Sequence, residues 1–436
     1  MVWRDYCREV TEFPFAQLRR WPDFEAPELV AADAADRLIV VALRERLVSD
    51  VKGGSEGLPG PADTVVIGDA YGAITLGAIH TFRTFAESPT LASPEETSLI
   101  RVHQDARSGE LALDNNSALT NTAGYSHVAL TSELVSGARL VLLRLPRSLD
   151  QLDEWAALIA THADDEVVVL AGGRDKYMTP AMNEVLERYF DNVSTGLGTQ
   201  KSRIISASTP RRDAARDAQA TSPRASRDPD FGLEIRAHGG VFAGGSVDIG
   251  TRSLLSVLDR VSGTQNQRII DFGCGTGLLA VQVARLRPTA QVIATDQSAA
   301  ATLSAAATVA ANGLSDRITV VRDDGLSSQP DSSADLILFN PPFHSGAAVH
   351  ASTSLRLFAE AARVLKPGGE LWVVANRHLS YRPALRRMVG STRVISQNPK
   401  FTVTASLKDG GRADGERFTR RRENLPRGLP NERWKR

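Results

Sequence analysis

The run Arg268-Ile269-Ile270-Asp271-Phe272-Gly273-Cys274-Gly275-Thr276-Gly277 carries a short apolar stretch straight into three closely spaced glycines. An apolar, helix-like segment follows over 278–286. A strand, a glycine-rich turn and a helix in that order are the opening of an α/β nucleotide-binding unit. Working toward the C-terminus, strands are expected at 291–295, 317–321, 335–339 and 370–375, with helices at 298–311 and near 354–365. Ser298 is placed as an N-cap, and Asn312-Gly313 as a C-cap. Lys366-Pro367-Gly368-Gly369 should stop the second helix. Two further β-rich stretches, 392–396 and 401–407, lie close enough to form a hairpin. The repeated strand–helix–strand pattern implies a mostly parallel, doubly wound α/β sheet that binds ligands at the carboxyl ends of its strands.

Toward the N-terminus the same parts recur more faintly. A strand at 64–67 runs into Gly68-Asp69-Ala70-Tyr71-Gly72, a strand at 140–145 ends at Pro146, and a helix at 151–161 leads to a strand at 166–171. The separation from Gly68 to Pro146 is close to that from Gly273 to Pro341, which points to an internal duplication. The first copy lacks the dense glycines and the later Asn-Pro-Pro-aromatic run. Between the copies lies a polar stretch, including Pro210-Arg211-Arg212-Asp213 and Ser222-Pro223-Arg224, with the composition of a linker. The expected division is therefore 1–207 for a first lobe, 208–232 for a linker, 233–408 for a catalytic domain and 409–436 for a basic, flexible tail.

At 436 residues the chain is long enough for two or three domains. No apolar run approaches the roughly 18–20 residues of a spanning helix. The N-terminus has no apolar signal-peptide core. Two cysteines, Cys7 and Cys274, cannot form a disulfide framework and suit a reducing cytoplasm. Membrane and metal partners are not expected, and the chain is read as a monomer. The 51 basic and 51 acidic residues cancel, so a nucleic-acid partner would be held by local patches. The densest is Arg417, Arg420, Arg421, Arg422, Arg427, Arg433, Lys435 and Arg436; a solvated tail and an RNA-contacting one both fit it.

Three details of the glycine-loop unit fit S-adenosylmethionine better than other nucleotides. Asp271 ends the strand before Gly273, Gly275 and Gly277, where a carboxylate can face an amino-acid ammonium. No phosphate-binding Lys-Ser/Thr pair follows Gly277, which excludes a P-loop. Asp296 ends the next strand and can accept both ribose hydroxyls, a feature shared with NAD-binding sheets. At the end of the third strand Asp324, preferred over Asp323, can receive the adenine amine. Cys274 packs beside the ligand, since no His or Lys nearby in sequence would activate it.

Asn340-Pro341-Pro342-Phe343 carries the reaction chemistry. An exocyclic amine on a base is planar, and its lone pair is delocalised into the ring. The Asn340 side-chain carbonyl and the Pro341 backbone carbonyl can accept its two N–H groups and aim the nitrogen at a sulfonium methyl. The prolines pre-set the turn. Phe343 offers a stacking face, worth about 1–3 kcal/mol, which helps offset the unstacking of the base. His344 is read first as a substrate-positioning residue, ahead of a structural or general-base role.

These residues resemble the ribosomal RNA guanine-N2 methyltransferases of the RlmG/RsmC family. The likeness rests on Asn340-Pro341-Pro342-Phe343-His344, on 271–277, and on Val241-Phe242 with Val247-Asp248-Ile249-Gly250-Thr251. Val373-Val374-Ala375-Asn376-Arg377-His378-Leu379-Ser380-Tyr381 and Asn398-Pro399-Lys400-Phe401 are similar to the RlmG branch, which acts on the large-subunit RNA. Asp33-Ala34-Ala35-Asp36 and Gly68–Ala73 are similar to that family's degenerate first lobe. The resemblance implies two tandem class I methyltransferase-like (Rossmann-like) domains, the first degenerate and serving RNA recognition or folding. It implies methyl transfer to guanine N2 in 23S ribosomal RNA, or in a ribosomal subunit precursor. It places Gly250, Thr251 and Asn340 beside the cofactor, and Pro342, Phe343, His344, Arg377 and His378 on the substrate side. RNA contact and helix capping are both open for Arg377 and His378. The alternatives are N6-adenine or glutamine-amide methylation, or a non-enzymatic RNA-binding or assembly factor on the same fold.

Overall fold

The computed structural model describes residues 12–54, 57–86, 98–261, 267–341 and 347–409, with side chains in the last span described from residue 354. Among these residues, two seven-stranded sheets repeat one plan. The first contains β1 (Thr64–Ile67), β2 (Ile100–His103), β3 (Tyr125–His127), β4 (Leu140–Arg144), β5 (Val168–Arg174), β6 (Phe190–Thr195) and β7 (Ser202–Pro210) in the order β3-β2-β1-β4-β5-β7-β6. A two-stranded ribbon, β8 (Arg224–Asp228) and β9 (Leu233–Ala237), follows. The second sheet contains β10 (Arg268–Phe272), β11 (Gln291–Asp296), β12 (Ile318–Arg322), β13 (Ala334–Phe339), β14 (Leu365–Asn376), β15 (Thr392–Gln397) and β16 (Phe401–Leu407). Its order, β12-β11-β10-β13-β14-β16-β15, is that of the first sheet. In both, five strands run parallel and the last two pair antiparallel.

Strand alternation sends side chains into a separate core on each face of the second sheet. On β10, Ile269 joins one cluster, and Ile270 and Phe272 the other. The helix Leu278–Leu286 covers the first face, and Phe358 and Ala361 of the helix Ala347–Val364 cover the second. The Ser298 hydroxyl caps the helix Ala299–Ala311 by accepting from Ala301 N at 3.1 Å, and Gly313 ends it at φ +70°. The helix-stop run 366–369 does not stand outside the sheet. It is absorbed into β14, where Gly368 takes φ +81° and the register to β13 shifts between Ala334 and Leu336.

The stretch expected as a linker is structured. β7 extends to Pro210, the helix Arg212–Ala220 packs on the helix Leu149–His162, and β9 lies along Ala299–Ala311. Its apolar burial is sparse, Ala215 in the helix and Leu233 and Ile235 on β9, and polar bonds add to it, which is why composition hid it. The Arg212 guanidinium donates to the Ala160, Thr161 and Ala163 carbonyls at 3.2, 2.7 and 2.7 Å, and so ties off one helix end. Thr308 and Asn312 side chains take the β9 amides of Arg236 and Glu234.

Candidate active site

A cleft of about 310 Å³ opens at the carboxyl ends of β10, β11, β12 and β13. That is the size and place of a small-molecule site in a doubly wound sheet. Gly273, Gly275, Asp296, Asp324, Asn340, Pro341 and Thr251 lie on its wall together. Gly273 and Gly275 hold φ +67° and +52°. Among the described residues nothing comes within 4 Å of a Cβ built on Gly275, and at Gly273 the nearest atom is Phe339 Cε2 at 3.8 Å. A ligand can therefore settle directly onto this backbone.

Three expected residues are set back from the wall. Asp271 is fully buried beneath the loop, where its Oδ2 accepts from Ala280 N at 2.9 Å and its Oδ1 has no partner among the described residues. Gly277 permits close packing: a Cβ there would lie 3.1 Å from Ala305 Cβ. Gly250 backs Asn340, whose Oδ1 would meet an added Cβ at 3.2 Å.

The Asn340 amide is locked. Its Nδ2 donates to Thr251 Oγ1 at 3.0 Å and to Asp248 Oδ2 at 3.3 Å. Asp248 in turn caps the helix Ile249–Leu255, its Oδ1 accepting from Gly250 N at 2.8 Å. With both donors spoken for, Asn340 Oδ1 is left buried and, among the described residues, without a partner. A buried acceptor with no donor is costly unless a ligand satisfies it. Beneath the loop Phe272 and Phe339 stack at 4.4 Å, and Phe358 and Tyr381 continue the row edge-on.

Asp296 is half-buried and holds two loop amides, Gly275 N on Oδ2 and Ser298 N on Oδ1, each at 3.0 Å. Burial raises its pKa against the pull of those amides, and the charge of Asp105 adds to the rise. Asp324 is gripped by both ends of the Arg356 guanidinium at 3.1 and 3.3 Å. Asp323 is spent on the turn after it, bonding Ser327 and Ser328. The carboxylates Asp248, Asp296, Asp323 and Asp324 thus face one cleft, and the single cation lining it among the described residues, Arg356, is already paired with Asp324 and Glu360. Such a wall suits a ligand carrying positive charge and repels a diphosphate. Sequence reading missed Asp248 and Arg356; the N-cap position of Asp248 before an apolar helix was the available signal. Burial pushes the Cys274 thiol well up, so it is an inert packing group on the wall.

Pro342, Phe343, His344 and the basic tail lie outside the described residues. Arg377 and His378 are exposed beyond β14, away from the cleft wall, in a shallow concavity shared with Ile249, Lys400 and Phe401. Neither side chain bonds a helix end among the described residues, and no carboxylate among them pairs with Arg377 or Lys400.

The first lobe shows the same site closed. Ile67 pairs with Leu143 as Phe272 pairs with Phe339, so Arg144 stands where Asn340 stands. Its guanidinium bonds Asp33 at 2.8 and 3.0 Å and Asp36 at 3.2 Å. Asp33 caps its helix as Asp248 does. Asp69 is saturated by Gly72 N and by the Thr75 amide and hydroxyl, and a Cβ on Gly72 would lie 2.7 Å from Leu113.

Asp271 gives a pH test. Burial pushes its pKa up to about 7 from 3.8, with the Ala280 amide opposing and Asp296 adding. A carboxyl that holds its proton more tightly when folded contributes most below the unfolded pKa. That contribution is lost as pH rises from about 4 to about 7. Asp271→Asn removes the ionisation. The melting temperature of the ligand-free variant, minus that of the wild type, should grow across this window by several degrees and level off above pH 7. A difference that stays flat with pH would show that Asp271 is ionised throughout.

Comparison with known proteins agrees with both lobes. The family described as Methyltransferase small domain matches residues 232–405, and the RLMG N-terminal domain matches 9–211. Proteins named ribosomal RNA large subunit methyltransferase G are similar along nearly their whole length. The one from Streptomyces avermitilis is 33% identical over 398 residues, 90% of this chain and 96% of its own. That of Pseudomonas aeruginosa PAO1 is 32% identical, over 91% of this chain and 98% of its own. Among solved structures, the T. thermophilus 16S rRNA N2 methyltransferase RsmC, in complex with AdoMet and guanosine, shares the fold with a TM-score of 0.63. It is 17% identical and covers 93% of this chain and 99% of its own. With two matched domains and near full-length relatives, the chain belongs to the ribosomal RNA large subunit methyltransferase G family.

Proposed function

We propose that this protein uses S-adenosylmethionine to methylate the exocyclic N2 amine of a guanine in 23S ribosomal RNA. The observation that carries the reading is the buried Asn340 Oδ1, unpartnered among the described residues, on a cleft-wall side chain whose amide is fixed by Asp248 and Thr251. It sits beside Pro341 and beside an acid-lined cleft with an open glycine cradle. These features fit a cationic nucleoside ligand. The names of the relatives supply the RNA, and that of the RsmC complex supplies AdoMet and guanosine.

When bound, S-adenosylmethionine supplies an electrophilic methyl group. Asp296 accepts the ribose hydroxyls on the lone pairs its two amides leave free. Asp324, held by Arg356, takes the adenine amine. Gly273 and Gly275 pass close under the ligand, while Asp271, Gly250 and Gly277 shape the wall from behind. Asn340 Oδ1 and the Pro341 carbonyl accept the two N–H groups of the target amine and fix its direction of approach. Locking Asn340 through its Nδ2 keeps the amide from flipping, so an acceptor always faces the amine. Phe343 and Pro342 pack the base, and His344 positions it. The proton leaves late, toward solvent. Arg377 and His378, with Lys400, hold the RNA backbone next to the target. The first lobe serves RNA recognition or folding beside the catalytic second lobe, and the 409–436 tail adds basic charge. The protein acts in the cytoplasm as a monomer, on ribosomal RNA or on a subunit precursor.

The experiment is mass-spectrometric nucleoside mapping of ribosomal RNA from a deletion strain, with and without the restored gene. Loss of one N2-methylguanosine from 23S RNA, regained on restoration, is expected. Loss of an N6-methyladenosine instead would replace guanine by adenine, and unchanged RNA would move the activity to another substrate.

A further inference from the structure

The turn that carries Asp296 is held from the other lobe. After β2, residues 104–107 run antiparallel to residues 296–299, with Ala106 bridged to Ser298. Arg107 N donates to Gln297 O at 2.9 Å, and Ala299 N to Asp105 O at 2.8 Å. The Asp105 carboxylate takes Ala300 N at 2.9 Å. The helix Ala299–Ala311 begins right behind Asp296 and would otherwise leave these first-turn amides unsatisfied. Asp105 therefore caps, from the first lobe, a helix of the second.

A second tie lies one strand over. Arg322 ends β12, next to Asp323 and Asp324. Its guanidinium donates to the carbonyls of Gln104 and Asp105 at 2.6 and 3.0 Å and pairs with Glu110 at 2.5 Å. It also reaches Gln297 O at 3.3 Å, and Asp323 N donates to Asp296 O at 2.9 Å. Ser108 Oγ meets the side chain of Gln297, itself on the cleft wall, at 3.0 Å. Ribose-side and adenine-side acids thus stand on two adjacent strand ends, and both ends are pinned by one short segment of the degenerate lobe.

From this we infer that Asp105 and Glu110 are positioning residues for the cofactor site: they set S-adenosylmethionine affinity through the 296–299 turn and Arg322. The inference rests on the reading of the cleft as an S-adenosylmethionine site. It gives the inactive lobe a part in catalysis that needs no RNA contact.

The test uses the full chain, with calorimetric titration of S-adenosylmethionine and steady-state kinetics on unmodified ribosomal RNA. Asp105→Ala should raise both Kd and KM for S-adenosylmethionine about 5- to 10-fold, the weight of one or two bonds. kcat at saturating cofactor and KM for RNA should stay within about twofold. Asp105→Asn keeps an acceptor oxygen for Ala300 N and should restore most of the affinity. Glu110→Gln, which keeps shape and loses charge, should weaken binding less than Asp105→Ala and serves if that variant folds poorly. Variants that melt earlier but bind with wild-type Kd would overturn the inference and leave the lobe contact merely structural. So would a loss confined to kcat or to RNA KM. If the wild-type chain itself fails to bind S-adenosylmethionine, the reading of the cleft falls and this inference with it.

Discussion

Asn340→Ala is expected to reduce methyl transfer by at least about 10²- to 10³-fold while S-adenosylmethionine binds within about threefold of the wild type. The size follows from losing one pre-placed polar partner of the reacting group, which typically costs that much in turnover. The asymmetry follows from the geometry. Asn340 Oδ1 is a buried acceptor with no partner among the described residues, whereas the Gly275 amide of the cofactor cradle is held by Asp296 and not by Asn340. Alanine leaves Asp248 to cap its helix through Gly250 N, so the local fold persists. Single-turnover methylation of 23S RNA alongside calorimetry separates the two quantities. Near-normal turnover in this variant would remove the amine clamp from the mechanism.

Asp296→Ala should act in the opposite sense, weakening S-adenosylmethionine binding about 100-fold. Two carboxylate hydrogen bonds to ribose hydroxyls, at about 1.5 kcal/mol each, give that magnitude. Release of Gly275 N and Ser298 N adds to it by loosening the loop. At saturating cofactor kcat should recover to within a few-fold, because Asn340 and Pro341 are untouched. Calorimetry reads the first effect and a cofactor-dependent rate curve the second. Unchanged affinity would mean that the ribose is held elsewhere.

Much of the catalytic lobe was legible because its strands end in punctuation. Gly273, Asp296, Asp324 and Pro341 each follow a short apolar run, and every strand expected in that lobe is present within a few residues. The site was legible for the same reason, since a doubly wound sheet gathers its strand ends on one side. Depth was not. Nothing in the order of residues says that Asp271 lies under the loop while Asp296 lies on it. In the first sheet β2, β3, β6 and β7 escaped notice: β2 and β3 are runs of four and three residues, and β6 and β7 carry mostly polar side chains. The supposed linker was misread because much of its order comes from arginine-to-carbonyl bonds, which composition does not reveal. The tie between Arg322 and Glu110 joins positions 212 apart in the chain, beyond any local pattern.

The ring of acids around the cleft bears on how a turnover ends. Methyl transfer turns a sulfonium into a neutral thioether, so the spent nucleoside carries one positive charge fewer than the fresh one. Asp248, Asp296, Asp323 and Asp324 then attract it less than the compound that must replace it. The wall therefore ranks incoming donor above outgoing by-product through charge alone, and this preference should fade as added salt screens the more exposed of these acids.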